Sequence, residues 1–209
     1  KLYMSMNKKH LDELKERISL MARRAESIFD KALEVMRDAH HDRFQDVLLM
    51  DRDLNKMEME LDQSCIRLLA LKDPFAVDLR FILSVMKSVR DLERIGDESK
   101  TIAKWSVKLP ADFMSSDLSH LIDNARKALQ LAVRALLHDD EAAANECLQV
   151  EEHVDEYEDR VLLTDPALPL GLITRSLERI GDLSSNISEN VIYYLEAKDI
   201  RHQEEQQQQ

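Results

Sequence analysis

The 209-residue chain carries 41 Asp and Glu against 29 Lys and Arg, a formal net charge of -12. That balance argues against a nucleic-acid partner, because phosphate backbones are bound by stripes of Lys and Arg, and it favours cations or basic protein surfaces. Only 3 Gly and 4 Pro leave little material for hairpin turns, while 44% hydrophobic residues suffice for a sizeable core, so an all-α protein of one or two domains is expected.

Apolar residues at Leu11, Leu14, Ile18, Met21, Ala25, Ile28, Ala32, Val35 and Ala39 alternate steps of three and four, the stripe of a long amphipathic helix. A second stripe runs from Phe44 through Val47, Leu54, Leu61 and Cys65 to Leu68, and ends where Pro74 disfavours helical geometry at Asp73. A third spans about Ala76 to Trp105. The segment from Pro110 to Asp117 reads as a linker, with Asp117 as the expected cap of the next helix. The order then recurs: one helix from Leu118 to Leu136, one through Cys147, Val154 and Val161, a Thr-Asp-Pro turn, and one from about Leu170 to Leu195. The polar end "QEEQQQQ" reads as a frayed helix end or a disordered tail. Six helices as two copies of three predict tandem antiparallel three-helix bundles, residues 1–109 and 117–202.

The isolated Cys65 and Cys147 form no Cys-x-x-Cys pair and are read as core residues of a protein in a reducing cytosol. No apolar run reaches the roughly 18 to 20 residues of a membrane span, and "KLYMSMNKKH" lacks the apolar stretch of a signal peptide. A soluble cytoplasmic protein is expected, meeting a membrane only through partners.

The hexapeptide Leu-Glu-Arg-Ile-Gly-Asp occurs at 92–97 and again at 177–182, each time with Arg two residues before it (Arg90, Arg175) and Ser two residues after it (Ser99, Ser184). Within each copy Glu and Asp are four residues apart, on one helix face with a rise of roughly 6 Å. A single such pair is better explained as a solvated polar face, so the question is whether further carboxylates converge on it. Residues equally far from the turn of a helical hairpin lie side by side. Glu93 and Asp97 lie 19 and 23 residues beyond Pro74, and Asn55 and Asp51 lie 18 and 22 before Asp73. In the second half Glu178 and Asp182 lie 12 and 16 residues beyond Pro166, and Asp155 and Glu151 lie 10 and 14 before Asp165.

Each half therefore sets a Glu-x-x-x-Asp against a facing pair, and such a cluster needs a counter-charge that a metal ion supplies. The sets lie beside the apolar stripe, which puts them on the bundle surface. Glu58, Asp62 and Glu158 continue the acidic stripe with levels that do not match, and His153 is read as a solvated residue before an auxiliary ligand. No Glu-x-x-His stands on these helices, so an internal di-iron centre fits poorly. Gly96 and Gly181 each cost a helix about 1 kcal/mol relative to Ala, and their recurrence suggests that a neighbouring helix comes close there. Arg94 and Arg179 are expected either to orient nearby carboxylates or to form plain intrahelical ion pairs.

The duplicated hexapeptide, together with "DRDLNKMEMELD", "EEHVDEYED", "DPFAVDLR" and "NISENVIYYLEAKDIRH", resembles the PhoU family of bacterial phosphate signalling over nearly the whole chain. The resemblance implies two three-helix bundles carrying multinuclear iron or zinc clusters at Asp51 with Asn55, Glu93 with Asp97, Glu151 with Asp155, and Glu178 with Asp182. It also implies a regulatory protein with no reaction of its own, restraining phosphate uptake and the phosphate-starvation response. Its partners would be a sensor histidine kinase and the ATPase of a phosphate ABC transporter; homodimerisation stays open.

Three departures stand out. Asn55 replaces an acidic residue, and Glu98 and Leu183 occupy the places where the family often has His. The span from Glu158 to Glu178 is 20 residues where that from Glu58 to Glu93 is 35. Either about two turns are absent from each arm of the second hairpin or residues around Leu163 to Leu170 are missing. The rival readings are a metal-free scaffold with an acidic docking face and a carboxylate-bridged metalloenzyme; the latter needs an enclosed pocket and an open coordination position.

Overall fold

The computed structural model describes residues 8–38, 41–72, 74, 76–110, 112–164 and 166–207, which form six helices and no strand. They are α1 (Lys8–Asp38), α2 (His41–Lys72), α3 (Ala76–Ser106), α4 (Ser116–His138), α5 (Glu141–Leu162) and α6 (Leu168–Gln207). Ala39, Asp73 and Asp165, used above to bound stripes and turns, lie outside the described residues. None of the six helices is long and apolar enough to cross a membrane.

The apolar stripes become the core. Ile18, Met21, Ala25 and Ile28 of α1 are fully buried, as are Leu118, Leu121 and Leu129 of α4, and both cysteines lie inside as free thiols. Burial pushes the Cys65 thiol up to about 12 and the Cys147 thiol up to about 11, which leaves them poor nucleophiles and poor ligands at neutral pH. Two caps fix the start of the second half. The Ser115 hydroxyl accepts the Leu118 N–H at 3.1 Å, so the cap of α4 is Ser115 and Asp117 lies inside the first turn. Asp140 caps α5 by accepting the Ala143 N–H at 3.0 Å.

Helices α1, α2 and α3 pack on one another, as do α4, α5 and α6, and the two bundles join along α3 and α6. Phe81, early in α3, meets Tyr194, late in α6, edge to face with centroids 5.4 Å apart. Later in α3, the Glu98 carboxylate accepts hydrogen bonds from Ser176 Oγ (2.7 Å) and Arg179 (3.1 Å), early in α6. The two helices are therefore antiparallel, and the two copies of the hexapeptide lie against each other. Their Leu92, Ile95, Leu177 and Ile180 are all fully buried in one continuous core that serves both bundles.

The first arm of the second hairpin is short: α5 has 22 residues where α2 has 32. Leu163 closes α5 through its N–H to Asp159 O at 2.9 Å, and α6 begins at Leu168. The reduced tip leaves Leu163 and Leu168 85% and 67% exposed. At its other end α6 continues well past Leu195 into the glutamine tail, further than the apolar stripe indicates.

Asp139, in the turn between α4 and α5, has a left-handed backbone (φ 54°) and holds three elements together. Its carboxylate pairs with Lys15 of α1 at 2.5 Å and accepts the Tyr194 hydroxyl of α6. Replacing Asp139 with Ala leaves the buried Tyr194 hydroxyl without that acceptor and puts a Cβ residue with no local hydrogen-bonding group in the left-handed region. The expected loss is about 2 to 4 kcal/mol of unfolding free energy by denaturant titration, with Asp139→Asn retaining the larger part.

Candidate metal centre

Each hexapeptide has two working faces, one turned to the seam between bundles and one turned to the preceding helix. On the second face stand Glu93 and Asp97 of α3 towards α2, and Glu178 and Asp182 of α6 towards α5. Glycine sets the distance between these helix pairs. A Cβ on Gly96 would lie 2.8 Å from Leu54 Cδ1, and a Cβ on Gly181 would lie 2.9 Å from Val154 Cγ1 and 3.3 Å from two further Val154 atoms. Leu54 stands between Asp51 and Asn55, and Val154 stands next to Asp155, so the same contact brings the facing polar residues within reach.

In the second half Glu151, Asp155 and Asp182 each offer a carboxylate oxygen within 4.8 Å of the other two. Among the described residues no ion pair reaches Glu151, Asp155, Glu178 or Asp182. Burial, then the charges of Asp155 and Asp182, pushes Glu151 up to about 7. Burial, then Asp182 and Glu158, does the same to Glu178, also to about 7. Asp155 is raised by burial and by Asp182, and Glu158 by burial against the pull of Arg175. Glu178 stands outside the three-oxygen set but shares its field. Glu158, whose level in the hairpin count is off, is still near enough for its charge to raise Glu178.

The first half has the same skeleton and a different charge balance. Lys100, one turn beyond Asp97, donates from Nζ to Asp97 Oδ1 at 2.5 Å and to Asp51 Oδ2 at 2.8 Å. Burial opposes the charge on this ammonium, yet the hydrogen bonds to the two aspartates outweigh it and hold its pKa above that of an ordinary lysine. Asp51 is only 6% exposed, deeper than a surface site requires, and its Oδ1 and the Asn55 Oδ1 are buried without a hydrogen-bond partner. Glu93 is raised by burial and by Asp97, Glu58 and Asp51, with Lys100 pulling the other way.

Lys100 is the residue that a search for carboxylates passes over, although its place three residues after Asp97 puts it on the same helix face. Arg179 of the second repeat also finds other work. Arg179 reaches across the seam to Glu98, so it neither orients the carboxylates of its own half nor forms an intrahelical pair. His153 is exposed, with Nδ1 3.1 Å from Gln149 O, and the Cys147 thiol turns to Ala128 O at 3.2 Å. The donor set of the second half is thus all oxygen, which suits a hard or intermediate cation.

A PhoU domain profile matches residues 18–106 and 118–191. The phosphate-specific transport system accessory protein PhoU homolog of Pseudomonas putida is 34% identical over 208 aligned positions, covering 92% of this chain and 81% of that protein. The phosphate-specific transport system accessory protein PhoU of Escherichia coli K12 is 28% identical over 207 positions, covering 92% of this chain and 86% of that protein. The crystal structure of PhoU from Pseudomonas aeruginosa superimposes with a TM-score of 0.83 at 32% identity, over 91% of this chain and 99% of that one. The phosphate transport system regulatory protein PhoU from Streptococcus pneumoniae gives 0.78 at 26% identity, over 88% and 94%.

Two outcomes follow from this geometry. Gly181→Ala meets three atoms of a β-branched side chain and is expected to cost about 1 to 3 kcal/mol beyond the roughly 1 kcal/mol gained in helix propensity. Gly96→Ala meets one flexible methyl and costs less, as paired urea titrations would show. The second concerns pH. Glu151 and Glu178 have folded pKa values above their unfolded ones, so the folded chain binds more protons between about pH 4.5 and about 7, and stability falls as pH rises through that window. In chelator, the melting temperature of the wild type should drop from pH 5.5 to 7.5 more steeply than that of a Glu151→Gln, Glu178→Gln variant.

Proposed function

We propose that this chain, which belongs to the PhoU family, is an accessory regulator of phosphate transport that carries a metal ion between α5 and α6 and acts through protein contacts, without a reaction of its own. The observation that carries the metal is the convergence of Glu151, Asp155 and Asp182, with no cationic side chain among the described residues paired to them. Three carboxylates so placed repel, and a bound cation supplies the missing positive charge. Glu151 and Asp155 hold it from α5 and Asp182 from α6, with Glu178 and Glu158 adding to the field from one turn away. Iron and zinc both accept carboxylate oxygens of this kind.

The role in phosphate transport is supported by the relatives from Pseudomonas putida and Escherichia coli, named as accessory proteins of a phosphate-specific transport system, and by their coverage of nearly all of this chain. The partners that follow from this role are the ATPase of a phosphate ABC transporter and a sensor histidine kinase, both met at the inner face of the membrane. Exposed acidic groups around Asp155 and Asp182 offer basic partner surfaces a place to dock, and a metal that neutralises them changes what that face attracts.

Protein purified without chelator should contain at least about one metal ion per chain by mass spectrometry, a stoichiometry expected of one carboxylate site. Asp182→Asn should lose it with helicity unchanged. Metal content equal in the two proteins would overturn the assignment. In a host lacking its own PhoU, wild type should restore restraint of phosphate uptake and Asp182→Asn should restore less.

A further inference from the structure

Lys100 and Ser185 hold the same place in the two repeats, each three residues past the Asp of the hexapeptide. Resting on the reading of α5 and α6 as a metal site, we propose that the Lys100 ammonium is a built-in counter-cation that takes the place of a metal ion between α2 and α3, so that only the second half binds metal. The Lys100 ammonium lies between Asp51 Oδ2 and Asp97 Oδ1 and bridges the two helices, the role a cation would otherwise have there. Any incoming metal would stand beside a fixed positive charge and would find Asn55, a neutral amide, where the second half has Asp155. Ser185 puts no charge at the corresponding place: its short neutral hydroxyl lies by the Cys147 thiol. The two halves thus solve one electrostatic problem in two ways, the first with a side chain and the second with a ligand.

Removing the lysine should convert the first half. Asp51 Oδ1 and Asn55 Oδ1, already buried and unpartnered, would join Glu93 and Asp97 as donors once the ammonium is gone. The test is zinc titration by calorimetry, with melting in EDTA and in zinc, on wild type, Lys100→Ser, Lys100→Gln, Lys100→Arg and Ser185→Lys. Lys100→Ser and Lys100→Gln should each bind about one more zinc ion per chain than wild type, the stoichiometry of one added carboxylate site. Their melting temperatures should fall below that of wild type in EDTA and recover in zinc. Adding Asp97→Asn should abolish that extra uptake. Lys100→Arg, which keeps the charge, should bind as wild type does. Ser185→Lys should lose zinc while melting no lower than wild type in EDTA.

The proposal is overturned if folded Lys100→Ser and Lys100→Gln take up no more zinc than wild type, or if Asp97→Asn alone removes zinc from wild type. A wild type that binds neither zinc nor, under anaerobic conditions, ferrous iron, with uptake gained in Lys100→Ser, would instead sink the metal reading of the second half and uphold the role of the lysine.

Discussion

The close approach of α2 to α3 at Gly96, and of α5 to α6 at Gly181, is the contact on which the acidic chemistry of the molecule depends. Helices normally pack with axes about 8 to 10 Å apart, set by the side chains between them. Here one of those side chains is missing at the crossing, and a Leu or a Val of the neighbour fills the space. The price in helix propensity is small and local; the result is two facing acidic rows too near to be left without positive charge. The rest of each site, lysine or ligand, answers a repulsion that packing created.

That chain of cause explains which parts could be read from residues alone. Helix positions followed from apolar spacing because each helix buries one stripe, and the pairing of Asp51 with Asp97 and of Glu151 with Asp182 followed from equal distances to a turn. What escaped depends on the relation between the two bundles or on short-range geometry. Glu98 stands one residue past the hexapeptide, and only when α6 is laid antiparallel to α3 do Ser176 and Arg179 become its partners. Ser115 and Asp117 are both good capping residues, and only the backbone turn at Ser115 decides between them. Lys100 was in plain view, but attention to ligand types hides a cation that sits among them.

The two repeats have diverged in charge well beyond this one position. Residues 1–109 hold 21 Lys and Arg against 20 Asp and Glu, whereas residues 110–209 hold 8 against 21. Essentially the whole negative charge of the chain belongs to the half whose clustered carboxylates have no ion-pair partner among the described residues. A field of that sign raises the local concentration of cations and repels anions. The same duplicated frame therefore offers one electrically quiet face and one that attracts positive charge, from metal ions or from basic partners.

The antiparallel seam of α3 and α6 has a further consequence. Because one continuous core serves both bundles, neither is expected to unfold alone, and the chain behaves as one cooperative unit. A cation bound only to the folded state between α5 and α6 then lowers the population of every globally opened state, including those that expose the interior of α1. Slowly exchanging amides along α1, a helix that contributes nothing to the α5–α6 carboxylates, would report the occupancy of that distant site as faithfully as the amides beside it.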